Sequence, residues 1–227
     1  MMRKWNDLPR EMQVEPVKKY YEILRHRKGS LIAKRIFDVI VASILIVILS
    51  PILLLLSILI KLDSKGPVMF RQVRVTTYGK TFRIFKFRTM VNNADKIGTQ
   101  VTTKGDARVT RMGKLLRGCR LDELPQLFNV LKGEMSFVGT RPEVEKYVAH
   151  YTDEMKATLL LPAGITSRAS IEYKDEEKLL ESAENADEVY IHQVLPEKMK
   201  YNLEAIEKFS FWDDIETMFA TVIAVVK

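Results

Sequence analysis

Cysteine and histidine are scarce in this chain of 227 residues, which has one cysteine and three histidines. Because a disulfide needs two cysteines, no internal disulfide can form, and a reducing, cytosolic setting suits the chain. Cys119 as a catalytic thiol would need an activating base, and no histidine accompanies it in a recognisable pattern, so an inert thiol is favoured. His192 has no second histidine near it in sequence, which favours a surface residue over a metal ligand.

Internal repeats and low-complexity tracts are also lacking, so the sequence predicts no more than one soluble domain. We expect no cleavable signal peptide, because no apolar core follows the first basic residues. Positive charge, in contrast, is in excess: 36 Lys and Arg stand against 29 Asp and Glu, with a sequence pI near 9.3. This balance suits an anionic partner such as a phosphate ester, an anionic lipid headgroup or a nucleic acid.

A long apolar stretch runs from Ile36 to Ile60, about the length that a membrane-spanning helix needs. Basic residues flank it on both sides: Lys34, Arg35, Lys61 and Lys65. The positive-inside bias would place both ends on the cytoplasmic side. Ser50 and Pro51 lie near the middle, where proline interrupts the helical hydrogen bonds and the serine hydroxyl can bond a freed carbonyl. We therefore predict a re-entrant membrane anchor kinked at Ser50-Pro51; an ordinary transmembrane helix with a tolerated proline is the alternative.

Two amphipathic segments precede and follow the rest of the chain. In residues 1–33 apolar side chains recur at helical spacing, which predicts a helix lying on a membrane or on the body of the protein. In residues 209–227 an apolar stripe containing Phe211, Trp212 and Phe219 fits an interfacial helix docked beside the anchor, with a core helix as the alternative. The predicted organisation is an N-terminal segment 1–33, an anchor 34–62, a cytosolic catalytic domain 63–208 and a C-terminal interfacial helix 209–227.

Within the predicted catalytic domain, alternating apolar and polar residues predict strands over Val68–Val75 and Thr81–Met90. A short strand is expected at Met135–Val138 and another at Ser167–Tyr173. The fold class is therefore α/β (α+β), mainly helical with short strands. The aromatics and cations of residues 85–88 fit a nucleic-acid platform, a phosphate site or a solvated strand face, and on this segment alone the solvated face is favoured.

A basic helix is predicted over Ala107–Leu116, capped by Asp106. Four cations recur at helical spacing along it and just beyond: Arg108, Arg111, Lys114 and Arg117. Repulsion between these cations would cost stability unless a polyanion binds among them.

Two adjacent carboxylates, Asp122 and Glu123, follow this stripe. Pro125 is tolerated only in a first helical turn, so a helix is expected to begin close to Asp122 and to end at Gly133. The positive end of the helix dipole would favour the ionised form of a carboxylate placed there. The local pattern alone favours an acidic helix cap. The nearby cations Arg117, Arg120 and Arg141, with a second basic run further upstream, instead favour a catalytic or metal-binding role.

Several motifs, in order, resemble the bacterial sugar transferases, the monotopic phosphoglycosyl transferases. The likeness runs from about Lys34 to the C-terminus. The motifs are Lys34-Arg35 with Phe37-Asp38, Ser50-Pro51, Gly66-Pro67, Phe70-Arg71-Gln72, Lys86-Phe87-Arg88-Thr89-Met90, the run from Leu121 to Gly133, and Met135-Ser136-Phe137-Val138-Gly139. Departures from the family pattern include Thr140, Glu134, Ala163 and the segment Ser167–Tyr173, and they put the identity of the sugar in doubt.

The resemblance implies transfer of a sugar 1-phosphate from a UDP-sugar to a polyprenyl (undecaprenyl) phosphate, with release of UMP and initiation of membrane-associated glycan assembly. It implies a covalent intermediate on Asp122, Mg²⁺ held by Asp122 and Glu123, and a kinked helix at Ser50-Pro51. General acid or base catalysis is the alternative role for Glu123. Four cations are expected near the substrate phosphates: Lys86, Arg88, Arg117 and Arg141. The expected location is the bacterial inner (cytoplasmic) membrane, with the catalytic domain on its cytoplasmic face.

The lipid bilayer is an expected partner, and nucleic acid is not. The resemblance does not decide whether the protein forms a homo-oligomer. Direct attack by the lipid phosphate, with Asp122 binding only metal, is the mechanistic alternative. From other functional classes, a membrane-tethered nucleic-acid binder would show steep salt dependence and no need for Mg²⁺. A non-catalytic scaffold would not need the intact Asp122-Glu123 pair.

Overall fold

The computed structural model describes residues 2–94, 106–173 and 185–226. The helices in chain order are α1 Glu15–His26, α2 Lys28–Asp63, α3 Arg111–Gly118, α4 Gln126–Lys132, α5 Glu145–Val148, α6 Arg168–Glu172, α7 Ala186–Val189, α8 Leu195–Glu207 and α9 Phe211–Val226. The strands are β1 Met69–Val75, β2 Thr81–Phe87, β3 Met135–Val138 and β4 Ala163–Thr166. The predicted architecture of many helices with short strands is confirmed.

The four strands form two small sheets. β1 and β2 pair antiparallel, with Met69 opposite Phe87 and Val75 opposite Thr81. β3 and β4 pair parallel, with Met135 opposite Ala163. The predicted alternation in β2 is present, because Phe82 and Ile84 are buried while Arg83 is exposed.

A single asparagine joins the free edge of β2 to α4. The Oδ1 of Asn129 accepts from the backbone N–H of Phe85 at 2.9 Å, and its Nδ2 donates to the carbonyl of Arg83 at 2.9 Å and to Oε2 of Glu134 at 2.7 Å. Asn129 is fully buried, so no water can replace these bonds. The Asn129 side chain therefore makes the edge hydrogen bonds that the backbone of a third strand would make. It fixes β2 against α4, the helix that follows the two carboxylates.

Asn129→Ala is expected to destabilise the protein by about 2–4 kcal/mol, because it leaves a buried N–H and a buried carbonyl without partners. Urea unfolding of the detergent-solubilised protein measures the change. Asn6→Ala is the matched control: its exposed side chain should matter by less than about 0.5 kcal/mol. Equal effects of the two variants would contradict this account of the β2 edge.

Helix α2, with 36 residues, is long and apolar enough to cross a membrane. One stripe of it is nevertheless buried against the body of the protein along almost its whole length: Lys34, Asp38, Ala42, Leu56 and Ile60. Leu45, Leu49 and Leu53 continue the stripe between them. The opposite face is exposed and apolar, with Val47 and Leu54 exposed by 72% and 64%.

The first turns of α2 hold the body by polar contacts. Lys34 donates to the carbonyl of Val138 at 2.8 Å and pairs with Asp214 of α9 at 2.6 Å. Arg35 donates to the carbonyls of Val130 and Leu131, at the open end of α4. Asp38 accepts from the backbone N–H of Phe137 at 3.3 Å. The Lys-Arg-x-Phe-Asp motif thus joins α2 to α9, α4 and β3.

Near the middle of α2, Ser50 Oγ donates to the carbonyl of Val47 at 2.8 Å. That carbonyl is the one to which residue 51 would donate in a regular helix, and Pro51 has no N–H. The hydroxyl thus satisfies a carbonyl that would otherwise lack a partner, as predicted. The helix is continuous through Pro51 from Lys28 to Asp63.

Arg88 closes the C-terminal end of α2. Its guanidinium donates to the carbonyls of Ser64 and Lys65 at 2.7 and 3.0 Å, and to Ser64 Oγ at 2.9 Å. Gly66 has a φ of +132°, and a Cβ there would lie 2.0 Å from Arg88 Nη1. Only glycine allows the chain to pass the buried guanidinium at this turn.

The terminal amphipathic segments have different environments. α1 buries Val17, Tyr20 and Leu24 against Ile206 and Phe209, so it lies on the body of the protein. α9 lies beside α2, with the rings of Phe37 and Phe211 5.5 Å apart, as predicted for a helix docked next to the anchor. Its outer face is exposed and apolar, and includes Trp212, Phe219, Val222 and Ile223.

Two predicted elements were placed wrongly. The basic helix begins at Arg111, four residues later than predicted, because Thr110 is its cap and accepts from the N–H of Gly113 at 3.0 Å. Asp106 instead binds Arg108, which lies outside the helix, so no four-cation stripe exists. Residues 168–172 form helix α6 rather than a strand, because Ser167 Oγ caps it by accepting from the N–H of Ser170.

Candidate active site

The two adjacent carboxylates lie on a 3₁₀ turn, Leu121–Glu123, and not in the first turn of an α-helix as predicted. Pro125 is the cap of α4, which ends at Gly133 as predicted. Arg120, just before the turn, has left-handed backbone angles of φ 55° and ψ 19°. Such a conformation costs free energy in a residue other than glycine, and it is found most often where function requires a particular geometry. Here it directs the chain from α3 into the carboxylate turn.

Glu123 binds two cations that come from distant parts of the chain. Its Oε1 accepts from Lys86 Nζ at 2.7 Å and from Arg141 Nη2 at 2.8 Å. Lys86 lies on β2 and Arg141 follows β3, so this carboxylate joins both sheets. Burial would raise the pKa of Glu123, but Arg141 and Lys86 outweigh it and hold that pKa well below the ordinary value. Glu123 is therefore ionised at neutral pH.

Asp122 is in a different electrostatic state. Burial raises its pKa above the ordinary value, the charge of Glu123 raises it further, and Lys86 and Arg117 oppose the rise. Our expectation that a helix dipole would favour the ionised form is wrong, because the carboxylate lies on a short 3₁₀ turn and burial dominates. Asp122 forms no side-chain ion pair in the described part of the chain. Of the two carboxylates, Asp122 therefore has the higher pKa and the fewer ion-pair partners.

Of the four predicted phosphate-binding cations, the structure brings three to the carboxylates. Lys86 and Arg141 bind Glu123, and Arg117 is close enough to affect the pKa of Asp122. Arg88 does not join them, because its guanidinium is engaged with carbonyls at the end of α2.

Thr89 orients Arg117, and sequence reasoning missed this contact. Thr89 Oγ1 accepts from Arg117 Nε at 3.0 Å, and the carbonyl of Thr89 accepts from the N–H of Thr110 at 3.0 Å. Gly113 makes this approach of α3 possible, because a Cβ there would lie 2.0 Å from the Thr89 carbonyl oxygen. Thr89 is part of the Lys-Phe-Arg-Thr-Met motif, but no spacing rule links Thr89 to Arg117.

The turn that carries Arg141 depends on two glycines in contact. Gly139 donates to the carbonyl of Thr166, and Gly164 donates to the carbonyl of Thr140 at 2.9 Å. A Cβ on Gly164 would lie 2.2 Å from the backbone nitrogen of Gly139. The absence of both side chains lets β3 and β4 meet closely enough to set the direction of the Arg141 turn.

The site has few ligands for a metal. In the described residues no group of three or more His, Cys, Asp and Glu side chains is placed to hold an ion. Mg²⁺ usually keeps several waters and needs only one or two carboxylates together with substrate phosphates, so Asp122 and the unbonded Oε2 of Glu123 fit such an ion. A carboxylate beside three cations, in a site that could also hold a divalent ion, is suited to displacement at phosphorus.

Residues 29–227 match the family model described as "Bacterial sugar transferase". Three similar proteins illustrate the relatives. A UDP-N-acetylgalactosamine-undecaprenyl-phosphate N-acetylgalactosaminephosphotransferase of Aeromonas hydrophila is 40% identical over 83% of this chain and 42% of its own length. UDP-glucose:undecaprenyl-phosphate glucose-1-phosphate transferases of Klebsiella pneumoniae and Caulobacter vibrioides are 39% and 35% identical, over 85% and 83% of this chain and 40% and 68% of their own lengths.

The chain spans less than half the length of several curated relatives that it matches. The matched part includes the carboxylate turn, the three cations around it and helix α2.

Proposed function

The chain belongs to the bacterial sugar transferase family, and from this membership we propose that it transfers a sugar 1-phosphate from a UDP-sugar to a polyprenyl phosphate such as undecaprenyl phosphate, releasing UMP. One observation carries the proposal: two adjacent, partly buried carboxylates differ in state, with Glu123 bound to two cations and Asp122 without an ion pair among the described residues. This difference suits Asp122 as the nucleophile and Glu123 as the residue that holds the cations in place.

In the first step, an Asp122 carboxylate oxygen attacks the β-phosphorus of the UDP-sugar. The bond between this phosphorus and the bridging oxygen breaks, the oxygen leaves with UMP, and an acyl phosphate joins Asp122 to the sugar phosphate. In the second step, an oxygen of the polyprenyl phosphate attacks the same phosphorus. The acyl phosphate bond breaks, the Asp122 carboxylate is regenerated, and neither step requires a proton.

Repulsion between anions is the obstacle in both steps, and the cations of the site reduce it. Lys86 and Arg141, held in place by Glu123, and Arg117, oriented by Thr89, would surround the diphosphate. They stabilise the charge that develops on the leaving oxygen, and they cost no reorganisation because they are already aligned. A Mg²⁺ ion held by Asp122, by Glu123 and by the substrate phosphates would supply further charge neutralisation. Arg88 would act at a distance, by fixing the end of α2.

The proposal is tested by screening UDP-sugars for UMP release with the purified protein, undecaprenyl phosphate and Mg²⁺. At least one UDP-sugar should give lipid-dependent turnover. The relatives are named for different sugars, N-acetylgalactosamine and glucose, so the screen must include both. No turnover with any UDP-sugar would contradict the proposed function.

The raised pKa of Asp122 predicts an acid limb in the pH profile of kcat/KM. The nucleophile must be ionised, so activity falls as the pH falls through the pKa of Asp122, whereas Glu123 stays ionised throughout. The midpoint of this limb should lie above 3.8, the ordinary value for aspartate. Profiles of UMP release at subsaturating UDP-sugar measure it. An acid limb at or below 3.8 would contradict the assignment.

We also propose that α2 enters the cytoplasmic leaflet and leaves on the same side. If α2 were straight, its 36 residues would extend about 54 Å, and a straight crossing would carry one end to the far side of a hydrocarbon core about 30 Å thick. The same body packs against Lys34 near one end of the helix and Ile60 near the other, which supports a same-side arrangement. This placement would hold the carboxylates at the depth of a polyprenyl phosphate headgroup, with the exposed face of α9 also at the interface.

Labelling of engineered cysteines tests this topology. In a Cys119→Ser background, Gly29→Cys and Ser64→Cys place single thiols near the two ends of α2. Both should react with a membrane-impermeant maleimide in inverted vesicles, and neither should react in intact spheroplasts. Reaction of one end in each preparation would establish a transmembrane helix instead.

Nucleic-acid binding is the less favoured reading of the basic residues. Phe87 is 1% exposed and packs against α2, so it cannot stack on a base. The cations of Lys132 and Arg71 lie over the ring of Phe85, 4.5 and 5.2 Å from its centroid. A non-catalytic scaffold would have no need for the contrast between Asp122 and Glu123.

A further inference from the structure

Glu143 is a buried carboxylate two residues beyond Arg141, and the proposed mechanism does not use it. Its exposed fraction is 6%. Tyr190 donates its hydroxyl hydrogen to Oε1, and Lys198 Nζ lies 3.9 Å from the same oxygen. Arg74 Nη1 lies 3.8 Å from Oε2. Lys198 also donates to the Tyr190 hydroxyl at 3.2 Å, so the four side chains form one connected group.

The same group holds the backbone on the far side of the Arg141 turn. Arg74 donates to the carbonyl of Pro142 at 3.1 Å, and the N–H of Val75 donates to the carbonyl of Glu143 at 2.9 Å. Tyr190 belongs to the π-helical segment Tyr190–Val194, and Lys198 belongs to α8. The segment that follows Arg141 is therefore fixed both to β1 and to the C-terminal helices.

Stability alone does not explain this arrangement. Lys198 is 4% exposed and Tyr190 is 5% exposed, and desolvating charged groups costs about as much free energy as their mutual attraction returns. An apolar cluster of the same volume would stabilise the fold at least as well. What charged, hydrogen-bonded side chains add is a single defined geometry. On the other side of the turn, that geometry is used by Arg141 when it donates to Glu123.

We infer that Glu143, together with Tyr190 and Lys198, positions the guanidinium of Arg141 for the reacting phosphate. This inference rests on the proposed function, since it assigns a purpose to the placement of Arg141. Glu143 touches no reacting atom in this scheme and acts only through the turn. The C-terminal helices thereby contribute to the geometry of a site whose carboxylates lie far from them in sequence.

A double-mutant cycle tests the inference. Glu143→Gln should lower kcat/KM for UMP release by between about tenfold and about a hundredfold, because misplacement by about 1 Å can cost this much. In an Arg141→Ala background the same substitution should lower it by less than about twofold, since the group it positions is gone. Fully additive losses would overturn the inference.

A milder pair of variants tests whether any loss of activity reflects misfolding. Tyr190→Phe removes only the hydroxyl that Glu143 accepts from, and it should lower kcat/KM by more than about threefold. Tyr20→Phe is the matched control, because the Tyr20 hydroxyl donates to Glu154 at 2.7 Å in the same manner, away from the Arg141 turn. It should leave kcat/KM within about twofold of wild type. Equal losses in the two phenylalanine variants would overturn the inference.

Amide hydrogen exchange separates failure of this inference from failure of the proposed function. If the wild-type protein releases no UMP from any UDP-sugar, the proposed function fails, but the restraint on the turn can still be measured. Glu143→Gln should speed exchange at the Gly139–Glu143 amides by at least about tenfold, and Glu154→Gln should not. Unchanged exchange in Glu143→Gln would overturn the inference whatever the activity.

Discussion

Asp122→Asn is expected to lower sugar phosphate transfer by about 10⁴-fold or more, because an amide oxygen cannot form the acyl phosphate. The wild-type protein incubated with labelled UDP-sugar and no lipid acceptor should gain one sugar phosphate on Asp122, detectable by mass spectrometry of the peptide. The variant should gain none. Turnover in the asparagine variant within tenfold of wild type would rule out covalent catalysis.

The stability of this variant shows whether lost activity reflects lost folding. A carboxyl whose pKa is raised by folding stabilises the protein below its unfolded-state pKa, and that contribution is lost as the pH rises through the folded-state value. At neutral pH the ionised Asp122 therefore costs stability. Asp122→Asn should have a Tm equal to or above that of wild type. The exposed Asp153→Asn is the control and should retain both activity and Tm.

The alternative in which the lipid phosphate attacks directly makes a different prediction. Asp122 would then bind only metal, and UMP would be released only when undecaprenyl phosphate is present. A stoichiometric burst of UMP without lipid acceptor, lost in Asp122→Asn, would exclude that alternative.

Glu123→Gln is expected to reduce kcat by about 10²-fold, because Lys86 and Arg141 lose the charge that aligns them. It should also lower stability by about 1–3 kcal/mol, since two partly buried cations lose their shared partner. The pKa of Glu123 is lowered by folding, so its charge stabilises the folded protein most at neutral pH. The difference in stability between wild type and variant should therefore be largest at neutral pH and should shrink as the pH falls below 4.5, the ordinary glutamate value.

A second substitution separates the two effects of Glu123→Gln. Lys86→Met in the same chain removes one of the unpaired cations, so the double variant should be more stable than Glu123→Gln alone. It should be no more active, because a phosphate-facing cation has been lost as well. Glu123→Asp keeps the charge but shortens the side chain, and its activity should be intermediate. Glu123→Gln with wild-type kcat would contradict the assigned role.

Sequence reasoning succeeded where a local pattern determined the structure. The alternation in β2, the end of α4 at Gly133 and the hydroxyl bond of Ser50 all depend on residues within four positions of each other. The expected grouping of Lys86, Arg117 and Arg141 near Asp122 came from the family resemblance, because no local rule brings residues from β2, α3 and the turn after β3 together.

The errors have a common physical origin in contacts between segments distant in sequence. Arg88 was expected near the substrate phosphates, but its guanidinium donates to the carbonyls of Ser64 and Lys65 instead. The ionisation of Asp122 was expected from a helix dipole, but burial by the assembled domain decides it. Neither tertiary contact leaves a signal in the spacing of the residues, and the position of Thr89 beside Arg117 was missed for the same reason.

The ion pair between Lys34 and Asp214 has a consequence for biogenesis. The two residues are 180 positions apart, and Lys34 emerges from the ribosome long before its partner has been translated. If α2 anchors the chain as proposed, it can enter the bilayer early, but its first turn cannot take its final surroundings until α9 has been translated. Under the proposed function, a nascent chain would then be delivered to the membrane before it could act on a nucleotide sugar.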